Sequence, residues 1–275
     1  MKVFYTDLMV ADSESFSPSA HKPREVVASW QALGFCLELV APEPVTVEQF
    51  ALAHDRKFVE DVLAGRRANG FGNRSAAVAK SLPYTSGSML AAAREAVRNG
   101  RVAVAPCSGF HHATYDSVQG FCTFNGLMVT ACVLRAELVV SRVGILDFDQ
   151  HWGNGTDDIR QQVGADWVRH YSAGADWDSP MDATRFIDSI PTLVAPMADC
   201  GVILYQAGAD PHLDDPLGGW LTTEQLRERD RLVFENVARL GVPIAWNLAG
   251  GYQSPLRNVL DIHDNTMREC AAALG

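Results

Sequence analysis

Short apolar runs alternate along the chain with longer segments in which hydrophobic residues recur every three or four positions, the pattern of strands separated by amphipathic helices. Lys2 to Tyr5 predicts a first strand, followed by a polar loop from Ala11 to Pro23 rich in Ser, Asp and Glu. Pro23 opens a helix in which Val26, Val27, Trp30 and Leu33 share a face, and Gly34 supplies its stop. Phe35 to Val40 predicts a second strand. Thr46 with Gln49 three residues on forms a capping-box pattern for a helix through about Ala53, and Phe50, Phe58, Val59, Val62 and Leu63 face the core in this region. His54, between these helices, reads as a structural histidine, the commoner role for a lone His at a helix boundary. Gly65 to Ser81, with its glycines and basic residues, is expected to be a surface loop. A helix from Thr85 to Asn99 follows, with Met89, Ala92, Ala93 and Ala96 on one face and Gly100 as its stop.

Val102 to Ala105 predicts the next strand, Phe124 to Leu138 a helix, Gly144 onward a central strand, and Asp166 to Tyr171 another with Ser172 at its end. Val202 to Tyr205 and Pro243 to Trp246 are further strands. The helix between them, Thr222 to Leu240, opens on a second capping-box pattern and closes at Gly241, and its many Arg and Glu residues read as a solvated face. Pro255 to Leu274 is mostly helical. Strand and helix patterns alternating in this way predict an α/β fold with a parallel sheet and helices on both faces. With no internal repeat and no low-complexity linker, residues 1–275 read as a single domain.

Four of the strands end in polar groups. The central run passes from Gly144-Ile145-Leu146 into Asp147-Phe148-Asp149-Gln150-His151, and alternation along an extended chain puts Asp147, Asp149 and His151 on one side. Val202 to Tyr205 leads to Gly208-Ala209-Asp210, Pro243 to Trp246 to Gly250-Gly251-Tyr252, and Val102 to Ala105 to Ser108-Gly109-Phe110-His111-His112. In open parallel sheets ligands bind in the crevice outside the carboxyl ends of the strands, so these groups are expected to meet there.

Composition narrows the function classes. A hydrophobic content of 47% with 20% charged residues is that of an ordinary soluble globular chain. The net charge of -10 leaves no basic stripe for nucleic acid and favours cationic partners such as amines. The 6 cysteines lie far apart with no C-x-x-C pair, which argues against a structural zinc or redox motif. The amino terminus does not read as a signal peptide, and no stretch approaches the roughly 20 apolar residues of a membrane helix. A cytoplasmic location without membrane attachment is therefore expected.

The polar strand ends also carry a resemblance. SGFHHA (Ser108 to Ala113), GFCTFN (Gly120 to Asn125), DFDQHWGNGT (Asp147 to Thr156), AGAD with the later DPLGG (Ala207 to Gly219) and LAGGY (Leu248 to Tyr252) occur together and in order. In these the chain resembles the zinc-dependent histone deacetylases and their bacterial acetylpolyamine amidohydrolase-like relatives. The resemblance implies an arginase-deacetylase type fold and assigns Asp149, His151 and Asp210 as metal ligands. Three protein ligands leave a position for water, the pattern of a catalytic site. Zinc is the ion implied, and the carboxylate-rich set leaves iron(II) open. His111 and His112 become the base and acid, with Asp147 orienting the first and Asn154 standing near the second. Tyr252 becomes the oxyanion donor, Phe121 an apolar wall of the substrate channel and Gly120 its floor. A monovalent cation, K+, near Asp147 and Ser172 is implied as well.

The activity so implied is hydrolysis of an acetyl or related small acyl amide of an amine by a metal-activated water, with an acetylpolyamine, an acetyl-lysine or an acylated small metabolite as substrate. Two other readings share the residues: a binuclear manganese ureohydrolase of the same fold, and a catalytically silent acetyl-amine binding protein. Trp152 and Gln150 depart from the family pattern without touching the ligand set. The segment from Ala173 to Cys200 lacks the glycine-rich, aromatic stretch that builds the opposite channel wall. The site is thus expected to be open, or closed by Trp177 or by a second copy of the chain in a homo-oligomer.

Overall fold

The structure is a computed structural model and describes residues 1–275. In chain order the strands and helices are β1 (Lys2–Phe4), α1 (Lys22–Ala32), β2 (Glu38–Val40), α2 (Val47–Phe50), α3 (Arg56–Leu63), α4 (Ala76–Asn99), β3 (Val102–Ala105), α5 (Gly126–Ala136), β4 (Val143–Asp147), α6 (Asn154–Gln162), β5 (Val168–Ser172), α7 (Ala183–Val194), β6 (Val202–Gln206), α8 (Thr223–Leu240), β7 (Ile244–Asn247) and α9 (Arg257–Leu274). The strands form one 7-stranded sheet in the order β2-β1-β3-β7-β6-β4-β5, with every pairing parallel.

Alternation along the strands divides the core in two. Ile203, Tyr205, Ile244, Trp246 and Leu146 point to one face, where α1, α7, α8 and α9 cover them. Val202, Leu204, Ala245, Val143 and Ile145 point to the other, under α2, α3, α4, α5 and α6. The two layers hold 35 and 34 buried residues, so the central strands β3, β4, β6 and β7 are covered on both faces. This is the α/β architecture with helices on both faces that the alternating pattern predicts. No helix is long and apolar enough to cross a membrane.

Several boundaries differ from the sequence reading. The expected loop from Gly65 to Ser81 is shorter, because α4 begins at Ala76 on a Ser75 cap and runs through Pro83. Val78 and Ala79 are buried and anchor that first turn. The Pro83 carbonyl accepts from Val45 N at 3.0 Å, and Thr85 Oγ1 donates to Ser81 O at 3.1 Å, so side-chain and tertiary bonds support the helix where proline interrupts its ladder. Two helices lie outside the predicted elements: α6, which starts directly after the polar run of β4, and α7, inside the segment from Ala173 to Cys200. The solvated face assigned to α8 is corrected at Arg229 and Asp230, which are fully buried. They share the spacing of Leu226, Val233 and Phe234, and so lie on the apolar side of the helix.

Candidate metal centre and active site

Strands β3, β4, β6 and β7 are adjacent in the sheet, and parallel pairing brings all four carboxyl ends to one edge. Asp149 and His151 follow β4, Asp210 follows β6, and their ligand atoms lie within 4.8 Å of one another. The carboxylates are almost completely buried and the histidine is partly exposed. His151 Nδ1 stands 3.3 Å from Asp149 Oδ1 and 3.3 Å from Asp210 Oδ2. Its other nitrogen, Nε2, lies 3.2 Å from the Leu217 carbonyl, which can take an Nε2 proton and leave Nδ1 facing the carboxylates.

Backbone amides hold the acids in place. Asp149 Oδ2 accepts from Gly250 N at 2.9 Å, and Asp210 Oδ1 accepts from Gln150 N at 3.2 Å. Gly250 is required there, because a Cβ would collide with the Asp210 carboxylate. Asp210 Oδ2 is buried with no donor aligned on it. Burial and the Asp149 charge push the Asp210 carboxyl up, whereas at Asp149 burial is outweighed by His111 and His151, which hold its carboxyl low. His151 is pushed up to about 11 by the two carboxylates beside its Nδ1, Asp149 first. Two buried acids sharing one imidazole and keeping one oxygen unpartnered form a cradle for a cation, and a divalent ion with a water position fits this donor set.

The two histidines of the β3 loop stand beside this cluster. His111 Nδ1 lies 2.7 Å from Asp147 Oδ2, and its Nε2 is 3.5 Å from Asp149 Oδ1. Burial opposes its charge, but Asp147 and Asp149 override burial and push it up to about 9. The other oxygen of Asp147 accepts from Asp149 N and from Gln206 Nε2. His112 Nδ1 lies 2.6 Å from Asn154 Oδ1. Because Asn154 Nδ2 donates to Gln119 Oε1, its oxygen is the group facing the ring, so His112 carries its proton on Nδ1 and presents an Nε2 lone pair. Burial and the neighbouring His111 pull His112 down to about 4.

Gly120, at φ 53, backs the His112 ring so closely that a Cβ would strike it. Phe121 itself has a left-handed φ of 61. Its ring lies 5.7 Å from that of Tyr252, so wall residue and tyrosine share one mouth. Ser172 Oγ accepts from Gly153 N at 2.9 Å, next to Asp147. His54 lies outside the cluster, fully buried, with Nδ1 donating to Thr114 O at 2.9 Å and Nε2 accepting from Asn125 N at 2.9 Å. Trp177 does not reach the mouth. Its indole donates to the Tyr171 hydroxyl at 2.8 Å and packs on Phe186, held by contacts within the fold.

Four residues without a role in the sequence reading support the site. Lys22 is fully buried and donates to the carbonyls of Ala249 at 2.7 Å and Gly250 at 3.2 Å, where Ala249 has a left-handed φ of 52. Arg229 donates to Phe148 O at 3.0 Å and Gly208 O at 2.7 Å, joining the loops after β4 and β6. Asp215 Oδ2 accepts from Tyr252 N at 2.7 Å. Phe16, from the polar loop between β1 and α1, packs edge-on against Phe121 with centroids 5.2 Å apart. The helical spacing of α8 was the available signal for Arg229, and a lone aromatic in a serine-rich loop was the signal for Phe16.

The histone deacetylase domain model matches residues 19–166, more than half of the chain. The chain belongs to the histone deacetylase family. The matched part includes His111, His112, Asp149 and His151, and Asp210 and Tyr252 lie beyond it. Among relatives, a probable deacetylase of Methanothermobacter thermautotrophicus is 30% identical over 151 residues, 53% of this chain and 46% of that protein. The chain thus spans about half the length of that relative. An uncharacterized protein of Picosynechococcus is 25% identical over 265 residues, covering 84% of this chain and 86% of its own. The crystal structure of the HDA15 HD domain superposes with a TM-score of 0.80 at 18% identity, over 99% of this chain and 92% of that one. The acetylpolyamine aminohydrolase of Burkholderia pseudomallei superposes with a TM-score of 0.74 at 18% identity, over 100% of both chains. At that identity the two structures speak for the fold.

Proposed function

We propose that residues 1–275 form a metal-dependent amide hydrolase that removes an acetyl or related small acyl group from an amine. The observation that carries this reading is the unpartnered Asp210 Oδ2 in the cluster with Asp149 and His151, beside the two histidines and across a shared loop from Tyr252. Family membership supports it, as do a relative named a probable deacetylase and a structural neighbour that is an acetylpolyamine aminohydrolase. Asp149, His151 and Asp210 hold the ion, zinc in the first instance with iron(II) as the alternative, and K+ beside Asp147 and Ser172 belongs to the same proposal. A divalent ion bound there polarises the acyl carbonyl and acidifies a water.

The remaining chemistry falls to the chain's own groups. His112 Nε2 takes the proton of the attacking water as the new C–O bond forms. Its Nδ1 proton stays on the ring, donated to Asn154 Oδ1, which fixes the tautomer. The carbonyl oxygen gains charge in the tetrahedral intermediate, and the Tyr252 hydroxyl donates a hydrogen bond to it. His111, held cationic by Asp147, adds positive charge on the same side. His112 then returns its proton to the amine nitrogen as the C–N bond breaks, giving a carboxylic acid and an amine, which become carboxylate and ammonium as the acid's proton passes to the amine. Gly120 lets the His112 ring sit against the channel floor and Phe121 walls the acyl group.

Asp147, a carboxylate that a two-manganese ureohydrolase would turn to a second ion, has both oxygens engaged by His111, Asp149 N and Gln206, which favours the mononuclear reading. The six free cysteines support a reducing, cytoplasmic setting. The test is turnover of a panel of acetylated amines by the wild type and Tyr252→Phe. The variant is expected to keep substrate affinity and lose on the order of 10² to 10³ in kcat. An unchanged kcat with chemistry rate-limiting, or a wild type inert toward every amide, would overturn the reading.

A further inference from the structure

Rings from three loops surround the mouth of the site. Phe16, at the tip of the loop from Ala11 to Ala20, meets Phe121 edge-on at 5.2 Å and an interplanar angle of 89°, and lies 6.4 Å from Tyr252. Phe71 flanks Phe121 on a third loop at 6.2 Å. These loops are tied to one another. Ala11 N donates to Ala20 O at 3.0 Å and closes the first loop at its base. Asn73 Nδ2 donates to Ser13 O at 2.7 Å, and Gly70 N donates to Thr123 Oγ1 at 2.9 Å, so the middle loop joins the other two.

Phe16 is 69% exposed, an arrangement that gains little from folding for so large an apolar ring. Two residues before it, Glu14 has φ 52, a left-handed conformation that a glutamate adopts only at a cost. A strained, pinned loop therefore holds an exposed aromatic beside Tyr252. The segment after β5 offers no competing ring, since Trp177 is engaged by Tyr171 and Phe186.

We infer that Phe16 is the second wall of the substrate channel and selects acylated amines whose nitrogen carries an unbranched alkyl chain. The inference rests on the amide-hydrolase reading. The alkyl chain leaving the amide nitrogen lies along the exposed surfaces of Phe16 and Phe121, and its burial covers the ring that folding leaves in water. A branch next to the nitrogen meets the edge of Phe16 where it closes on Tyr252, so bulky amines are disfavoured.

The experiment compares N-acetylhexylamine with N-acetylmethylamine on the wild type, Phe16→Ala and Phe16→Leu. Losing on the order of 50 Å² of apolar contact corresponds to roughly tenfold in affinity. Phe16→Ala is expected to lower kcat/KM for the hexyl amide by about tenfold, mainly through KM, and to leave the methyl amide within about twofold. Phe16→Leu recovers part of the loss. Equal losses on both amides would make Phe16 a mere prop for Tyr252 and overturn the proposal, as would no change on either. A wild type that hydrolyses neither amide refutes the hydrolase reading instead. Binding of the product amines methylamine and hexylamine to the wild type and Phe16→Ala, read by calorimetry, then decides on Phe16 separately. Phe16→Ala must remove most of the affinity gained from the longer tail, and an equal gain in both proteins overturns the proposal.

Discussion

Protonating His54 should weaken the fold by an amount that its surroundings fix. The ring is completely buried between α2 and α3, against Phe58 and Phe124 at 5.8 and 5.5 Å. One nitrogen donates to the Thr114 carbonyl, and the other accepts from the backbone N–H of Asn125, the residue that caps α5. A second proton would turn that acceptor into a donor facing a donor. Burial accordingly pulls His54 from its ordinary 6.5 down to about 4, against the pull of the Thr114 and Tyr115 carbonyls. The unfolded chain binds the extra proton first, so stability from this group is complete above about pH 7 and is lost as pH falls from 6.5 toward 4. Between pH 7.5 and 5 the two values correspond to about 2 kcal/mol. His54→Gln removes the titration and leaves the Asn125 N–H short of its partner, costing roughly 1–3 kcal/mol at pH 7.5. Urea unfolding of both proteins at each pH, with chelator present and ionic strength constant, reads the gap between them. His263, also buried and held neutral, cancels in that difference. The gap should shrink by about 2 kcal/mol at pH 5. A gap of the same size at both pH values would refute the account of His54.

Two further outcomes are expected. Asp210→Ala should leave a folded protein that no longer retains a divalent ion through gel filtration, and full metal occupancy by elemental analysis would remove Asp210 from the ligand set. Arg229→Met strands Asp230 in the core without its cation and leaves the carbonyls of Phe148 and Gly208 without a donor, so a loss of about 3–5 kcal/mol in urea unfolding is expected. A loss under about 1 kcal/mol would show that the pair is replaceable.

The centre of the sheet was legible because β3, β4, β6 and β7 are buried on both faces and written as mostly apolar runs, with turn residues or caps at the helix ends. Where local signals competed, the reading slipped. Pro83 and the glycines before Ala76 concealed the start of α4, although Val78 and Ala79 already followed its apolar stripe. The polar run into Asn154 concealed α6, whose first turn also faces the site. The candidate site was legible for a different reason: its polar groups sit at the ends of four apolar strands that a parallel sheet must bring to one edge. What holds those groups was harder to see. Lys22 and Asp215 act on backbone atoms of residues far along the chain, and no spacing reveals a contact of that kind. Phe16 was visible as a residue but not as a neighbour of Tyr252, since the link runs through Asn73 and Thr123 on two other loops.

The buried charges around the site explain why it should attract an ion rather than neutralise itself. Asp147 is satisfied by His111, so its charge is already paired. Lys22 and Arg229 are the other cations buried nearby, and each binds carbonyls of the site loops instead of the ligand carboxylates. Lys22 is drawn down to about 8 by burial despite the attraction of Asp210, Asp149 and Asp215. Had its ammonium reached Asp210 directly, it would have paired Oδ2 and left no free oxygen there for an ion. By gripping Ala249 and Gly250 it offsets the acids at a distance and holds the left-handed turn that aims Gly250 N at Asp149. Arg229 does the same for the peptide groups preceding Asp149 and Asp210. The fold thus spends its cations on geometry, and Asp210 Oδ2, the ligand oxygen left without an aligned donor, creates a demand that a divalent ion would meet.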